Sequence, residues 1–216
     1  MSVRGRFITL EGGEGVGKTT LAKHLRTQLE AQGLDVVLTR EPGGSPAAEL
    51  LRETLYGPGA PHWAPIPETL LLFAARAAHL EETIRPALAR GAWVICDRFN
   101  DSTLAYQGVL GGVDKDFLSA LDARVIGADH PDLTFMLDLD PAVSRARAEQ
   151  RGEVLTRYDS APPAFHASLR AAFLDIAKAN PERCSVLDAA AAPEEIARQA
   201  FNTIARRFGL NSETPR

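Results

Sequence analysis

Phe-Ile-Thr-Leu-Glu-Gly-Gly-Glu-Gly-Val-Gly-Lys-Thr-Thr, residues 7–20, is the stretch from which the rest of the chain is read. Gly12, Gly17, Lys18 and Thr19 fill the pattern G-x-x-x-x-G-K-[ST], after a short apolar run and before a helical one. That context turns the match into a mechanism. A polyphosphate needs many donors at once and little side-chain bulk. Gly12, Gly13, Gly15 and Gly17 let backbone N–H groups curl around it, and a helix starting near Gly17 points its positive end at the charge. Lys18 is expected to reach the β- and γ-phosphates, and the Thr19 hydroxyl to ligate Mg²⁺. With Glu14, Val16 and Thr20 completing the loop, residues 12–20 read as a nucleotide-phosphate site.

Outward from the loop, the chain alternates strands and helices. Arg6–Glu11 reads as a strand, Thr19–Gln32 as a helix with Leu21, Leu25 and Leu29 on one face, and Asp35–Thr39 as a second strand. Strand, helix, strand at this spacing is a βαβ unit with a parallel sheet. Further strands are predicted over Ala92–Cys96, Asp132–Leu139 and Cys184–Leu187. Helices are predicted over Ala47–Leu55, Glu68–Arg90, Asp101–Gly108, Lys115–Ile126, Pro141–Gln150, Ala164–Ala179 and Glu194–Phe208. Gly57–Pro67 reads as a loop, and Pro86 falls where it could bend the long helix. The expected architecture is a three-layer α/β fold, in which a parallel sheet lies between helices. Residues 1–210 are expected to form one domain with a lid at about 148–163, and 211–216 a disordered tail.

Composition excludes several functions. The charge balance, −4 over 216 residues, offers no polyanion-binding surface, so nucleic acid is not an expected partner. No apolar run approaches the roughly 18 residues of a membrane span, and the N-terminus lacks a signal-peptide core. The two cysteines, Cys96 and Cys184, each sit in an apolar strand, which predicts buried thiols rather than a disulfide. A soluble, cytoplasmic protein is expected.

Other residues extend the chemistry. Asp97 ends an apolar strand, where a P-loop enzyme places an acid near Mg²⁺ and its waters, and Arg98 beside it offers a fork for a phosphate. Glu14 is an acid inside a phosphate loop. Its presence makes sense if it faces away from the phosphates and accepts a hydrogen bond from a second substrate's hydroxyl. The turn Arg40-Glu41-Pro42-Gly43-Gly44 lies at the carboxyl end of a strand, the edge where open α/β sheets bind ligands. Arg145, Arg147, Arg151 and Arg157 cluster before and inside an irregular stretch of lid length. From there arginine can supply cation density to a transferring phosphoryl group. The histidines, His79 among them, show no metal-ligand spacing.

Four motifs in order resemble the thymidylate kinase family, of the short bacterial type. They are Glu-Gly-x-Glu-Gly-x-Gly-Lys-Thr-Thr at 11–20, Thr-Arg-Glu-Pro-Gly-Gly at 39–44, Phe-Ala-Ala-Arg within the long helix, and Asp-Arg-Phe-x-Asp-Ser-x-x-Ala-Tyr-Gln-Gly at 97–108. The resemblance implies a five-stranded parallel sheet, ATP as donor, Mg²⁺, phosphorylation of dTMP to dTDP, and a homodimer. By position it implies that Glu14 meets the 3′-hydroxyl of the deoxyribose and Arg98 clamps the acceptor phosphate. It also implies that Arg40, Glu41 and Pro42 lie beside the acceptor, that Arg76 hydrogen-bonds a thymine carbonyl, and that Ser102, Tyr106 and Gln107 line the base and sugar pocket. The family's base-stacking phenylalanine sits four residues before the arginine. Here Leu72 holds that place and Phe73 follows it, so which of the two faces the base stays open. The loop carries no basic residue between Gly12 and Gly17, so the transition-state cation is expected from the lid, from Arg151 or Arg157.

Overall fold

The computed structural model describes residues 4–151, 158 and 161–211, with the backbone alone at 148–151. A parallel sheet of five strands has the order β2-β3-β1-β4-β5. Its strands are β1 (Phe7–Glu11), β2 (Val36–Arg40), β3 (Trp93–Asp97), β4 (Leu133–Asp138) and β5 (Cys184–Asp188). The central strand β1 is buried along its whole length, as a parallel strand covered on both faces should be. Of its two polar residues, Thr9 and Glu11, the first stands opposite Thr134 in register, and the two buried hydroxyls are 2.7 Å apart. The order places β3 and β4 on either side of β1, so the carboxyl ends of all three meet where the glycine loop leaves the sheet.

On one face, helix α1 (Lys18–Ala31) and helix α9 (Pro193–Phe208) pack against the sheet through Leu21, Leu25, Leu29, Phe201 and Ile204. On the other lie α3 (Pro65–His79), α4 (Arg85–Ala89) and α6 (Lys115–Val125), with α2 (Pro46–Tyr56) against α3. Helix α8 (Pro163–Ala179) packs on β4 and β5, and α5 (Asn100–Thr103) and α7 (Pro141–Arg151) lie against it near the site. Element order agrees with the reading of the sequence, and the boundaries shift by a residue or two. The larger shift is the start of α3, which reaches back to Pro65 because prolines in a first turn lose no helical hydrogen bond.

The predicted 68–90 helix is interrupted. Leu80–Ile84 forms a π-helical turn, in which the Arg85 N–H reaches back to the Leu80 carbonyl, and α4 follows. Pro86 has no N–H to give, and its ring would crowd a carbonyl one turn back, so the widened turn absorbs both problems. A second π-helical turn, Leu104–Leu110, continues α5 and contains Tyr106 and Gln107.

Leu25, fully buried between α1 and the sheet, gives the core a direct test. Leu25→Ala should lower unfolding free energy by about 2–5 kcal/mol, read as a lower denaturant midpoint with an unchanged slope.

Candidate functional site

The glycine loop is held open for an anion. Gly12 has φ +134°, and a Cβ there would lie 2.6 Å from the Leu137 carbonyl oxygen of β4, so no other residue fits. No side chain caps the start of α1, whose N-cap is Gly17. The first-turn amides therefore keep their donors for a ligand. Lys18 is buried, and its Nζ donates to the loop's own carbonyls, Gly12 at 3.2 Å and Gly13 at 2.6 Å. Burial, with Arg98 adding to it, pulls the Lys18 amine down to about 8. Just past the loop, the Thr19 hydroxyl donates to Asp97 Oδ2 at 2.8 Å.

Arg98 follows Asp97 at the end of β3 with φ +69°, a conformation that costs a non-glycine residue of order 1–3 kcal/mol. Its neighbours determine that geometry. The Arg98 N–H donates to the Leu10 carbonyl at 2.9 Å, and the buried Cys96 thiol donates to the Arg98 carbonyl at 3.0 Å. The guanidinium then bridges to the loop, donating to the Gly12 carbonyl at 2.9 Å, Ser102 Oγ at 3.1 Å and Glu14 Oε1 at 3.2 Å. Burial opposes its charge, but Tyr106, Glu14 and Asp97 hold it above the ordinary arginine value.

Glu14 is turned toward Arg98 and accepts a short hydrogen bond from the Tyr106 hydroxyl. Burial would raise this carboxyl, but Arg98, Lys18 and the Tyr106 hydroxyl bring it below the usual carboxylate range. Its second oxygen, Oε2, is buried without a hydrogen-bond partner among the described residues. Beneath this group lies Glu11, fully buried at the end of β1. It accepts from the Phe99 N–H at 2.8 Å, the Ser102 N–H at 3.3 Å and the Ser102 hydroxyl at 2.6 Å. Burial and the charge of Asp101 push Glu11 up to about 7.

From Glu14 a cleft of about 680 Å³ opens, lined by Glu41, Pro42, Arg76, Arg98, Ser102, Tyr106 and Gln107. These seven were expected together. Arg76 is 2% exposed, with its guanidinium carbon 4.9 Å from the centre of the Phe73 ring and 5.0 Å from that of Phe99. Its Nε donates to Glu41 Oε2 at 2.8 Å, and its terminal nitrogens donate to Asn100 at 3.1 Å and Thr103 at 3.0 Å.

Two expected acceptor residues lie elsewhere. Phe73 is 2% exposed and packs in the core with Phe7, Phe99 and Ile84, while Leu72 lines the cleft. The ring lies under Arg76 and does not line the cleft. One residue is about 100° on a helix, and α3 presents position 73 inward. Arg40 points outward, 54% exposed, in an ion pair with Glu49 at 3.1 Å, because the last residue of the edge strand β2 alternates away from the cleft. The side chain of Arg151 and the whole of Arg157 lie outside the described residues, as does most of the expected 148–163 segment.

Several residues had no role assigned from the sequence. Arg52 of α2 lines the cleft and donates to the Pro42 carbonyl at 2.6 Å. Asn100 and Thr103 hold Arg76, and Tyr158 sets its ring 4.8 Å from that of Tyr106. The position of Asn100 and Thr103 next to Asp97-Arg98 was the available signal. For Arg52 and Tyr158 only tertiary packing shows it. Among the described residues no three His, Cys, Asp or Glu side chains converge as a metal cage.

A cradle for an anion whose wall is also the wall of a second, nucleotide-sized cleft suits an enzyme that passes a phosphoryl group from one side to the other. The class is that of the P-loop phosphotransferases. Known proteins narrow it: the family model described as Thymidylate kinase matches residues 10–200, and the chain belongs to that family. A thymidylate kinase of Caulobacter vibrioides is 48% identical over 207 residues, covering 96% of this chain and 99% of the relative. One from Pseudomonas fluorescens is 53% identical over 186 residues, covering 86% and 88%. The crystal structure of a thymidylate kinase from Ehrlichia chaffeensis superposes with a TM-score of 0.73 at 34% identity, covering 93% of this chain and 99% of that one.

Removing Glu41 would strand the buried cation of Arg76. Glu41→Ala should therefore cost about 3–5 kcal/mol of stability, whereas Arg40→Ala, at an exposed pair, should cost under about 1 kcal/mol. Urea unfolding of the two variants side by side measures the contrast.

Proposed function

We propose that the two sides of Glu14 divide one reaction between them, with the loop at 12–20 holding ATP and the cleft beyond it holding dTMP. The chain transfers the γ-phosphoryl group of ATP to dTMP, giving dTDP and ADP, the reaction of the thymidylate kinase family. The observation that carries the site assignment is the cleft that Arg98, Arg76 and Glu14 line together.

A phosphate oxygen of dTMP attacks the γ-phosphorus in line, and the bond from that phosphorus to the β,γ-bridging oxygen breaks. The attacking oxygen is already anionic, so no strong base is required and catalysis is positioning plus charge neutralisation. The loop amides and Lys18 hold the donor's phosphates, with the Lys18 amine leaving the Gly12 and Gly13 carbonyls for them. Arg98 clamps the acceptor phosphate. The free Glu14 oxygen accepts from the sugar 3′-hydroxyl, and its other oxygen is fixed by Arg98 and Tyr106. The Tyr106 ring, 8% exposed, fills the space a ribose 2′-hydroxyl would need. The cleft-facing N–H groups of Arg76 meet a thymine carbonyl, and Gln107, Ser102, Pro42 and Leu72 complete the pocket wall.

Mg²⁺ fits the site. It needs only one or two protein oxygens when phosphates and waters supply the rest, and Thr19 Oγ1 and Asp97 Oδ2 stand side by side at the helix start. Bound there with ATP, the ion would neutralise charge on the β- and γ-phosphates. The lid is assigned to 148–163, with Arg151 or Arg157 completing the cation density. Tyr158 supports it: its ring packs on Tyr106, and its hydroxyl lies 3.3 Å from Glu68. A homodimer is supported by Leu50 on α2 and Ile66 and Leu70 on α3, large apolar side chains exposed at 73%, 56% and 46%. No helix among the described residues is long and apolar enough to cross a membrane. The free thiols of Cys96 and Cys184 suit a reducing cytoplasm.

An ADP-coupled assay across dTMP, dUMP, CMP, GMP and AMP tests the acceptor assignment. dTMP should give the highest kcat/KM, and equal rates with CMP would refute it. The lowered Lys18 value yields a second test. At pH 8 the free amine is about half protonated. A polyphosphate favours the charged form, so at pH 8 ATP binding should draw about half a proton onto Lys18. Calorimetry in buffers of different ionisation enthalpy measures the uptake; the same heat in every buffer at pH 8 would contradict it.

A further inference from the structure

Arg76 does not hold its own orientation. Its guanidinium has five N–H groups, of which Nε goes to Glu41, one goes to Asn100 and one to Thr103. The two that remain are the ones available to the cleft. Glu41 is the charged partner of the group, so the plane of that carboxylate fixes the plane of the guanidinium and the direction of the free N–H groups. A carboxylate held through one oxygen can swing about its side-chain bonds. This one is held through both: Oε1 lies 3.0 Å from His79 Nδ1.

His79 is fully buried and does not line the cleft. Its other nitrogen, Nε2, lies 2.6 Å from the Thr39 hydroxyl on β2, which anchors the ring to the sheet. The turn after Glu41 is moulded around it. At Gly44, φ +85°, a Cβ would sit 2.5 Å from His79 Nε2 and 2.2 Å from Thr39 Oγ1. The Gly44 carbonyl accepts from Thr83 at 2.9 Å, one turn beyond His79. An apolar side chain would fill this space without a hydrogen bond. A ring whose two nitrogens meet the sheet on one side and the Glu41 carboxylate on the other does more than fill it.

We infer that His79 is a positioning residue for acceptor recognition, acting through Glu41 to aim Arg76 at the pyrimidine carbonyl. The inference rests on the reading of Arg76 as a donor to that carbonyl. It also extends the specificity apparatus to a side chain that touches neither nucleotide.

The test compares His79→Leu, His79→Asn and His79→Gln with Arg76→Lys. Steady-state kinetics with dTMP and with dCMP, which carries an amine in place of one carbonyl and lacks the methyl group, supplies the readout. His79→Leu should raise KM for dTMP about tenfold or more, with kcat and KM for ATP within about twofold, and should narrow the preference for dTMP over dCMP. Asn places its amide nitrogen near the position of Nδ1 and should keep KM for dTMP within about threefold of native. Gln reaches toward Thr39 instead and should behave like Leu. If Arg76→Lys raises KM for dTMP while His79→Leu leaves it within twofold, the positioning role is overturned and the Arg76 reading stands. If Arg76→Lys leaves KM unchanged, the Arg76 reading fails and the His79 role falls with it. Should His79→Leu not fold, Asn and Gln carry the decision, and equal KM values in the two overturn the inference.

Discussion

The bridge from Arg98 to the phosphate loop is the constraint on which the site depends. One guanidinium contacts the Gly12 carbonyl, the Glu14 carboxylate and the Ser102 hydroxyl, so the glycine loop and the cleft share a cation. That contact requires β1 and β3 to be parallel neighbours in the observed register, with Leu10 opposite Asp97. It also requires the backbone to turn through a left-handed conformation at Arg98 itself. The strain is offset by the hydrogen bonds of the Arg98 N–H and carbonyl and by the negative charge of Glu14 and Asp97. A glycine at this position would relieve the backbone and lose the chemistry.

Below this bridge the polar groups are arranged in layers. Glu11 accepts from the Phe99 N–H and from Ser102, fixing the first turn of α5. Asp101 of the same helix takes both ends of the Arg183 guanidinium, at 2.7 and 2.8 Å, fastening α5 to the start of β5. Such pairs add little net stability once desolvation is counted, and the apolar clusters on the two faces of the sheet carry that burden. What the pairs supply is direction. Arg76 between two phenylalanine rings and Glu14 between Arg98 and Tyr106 are held in place before any ligand arrives, so binding need not order them.

Much of this was legible in the sequence, because the signals are local. The glycine loop must be followed by a helix, the apolar runs must be strands, and a parallel sheet brings their carboxyl ends to one edge. Glu14, Arg76, Arg98, Tyr106 and Gln107, which line one cleft, stand at strand ends or within a distinctive motif, where a sequence can show them. What escaped depends on rotation and on partners distant in sequence. Phe73 and Arg40 have the right residue type in the right segment, but the packing of α3 and the outward turn at the end of β2 face them away from the cleft. The π-helical turns follow from backbone hydrogen bonding around Pro86 and along Leu104–Leu110, which no side-chain periodicity reports. His79 looks from its spacing like one more helix residue, and its link to Thr39 and Glu41 exists only once β2 and α3 are packed together.

The double role proposed for Arg98, bracing the glycine loop and clamping the acceptor phosphate, is central to the proposed mechanism. It is tested most directly by the turnover of Arg98→Lys at saturating ATP and dTMP, with the melting temperature measured alongside. Lysine keeps the charge but cannot reach the Gly12 carbonyl, Ser102 and Glu14 at once. The expected result is a fall in kcat of about 10²–10³ with the melting temperature within a few degrees of native. Turnover within twofold of native would contradict it.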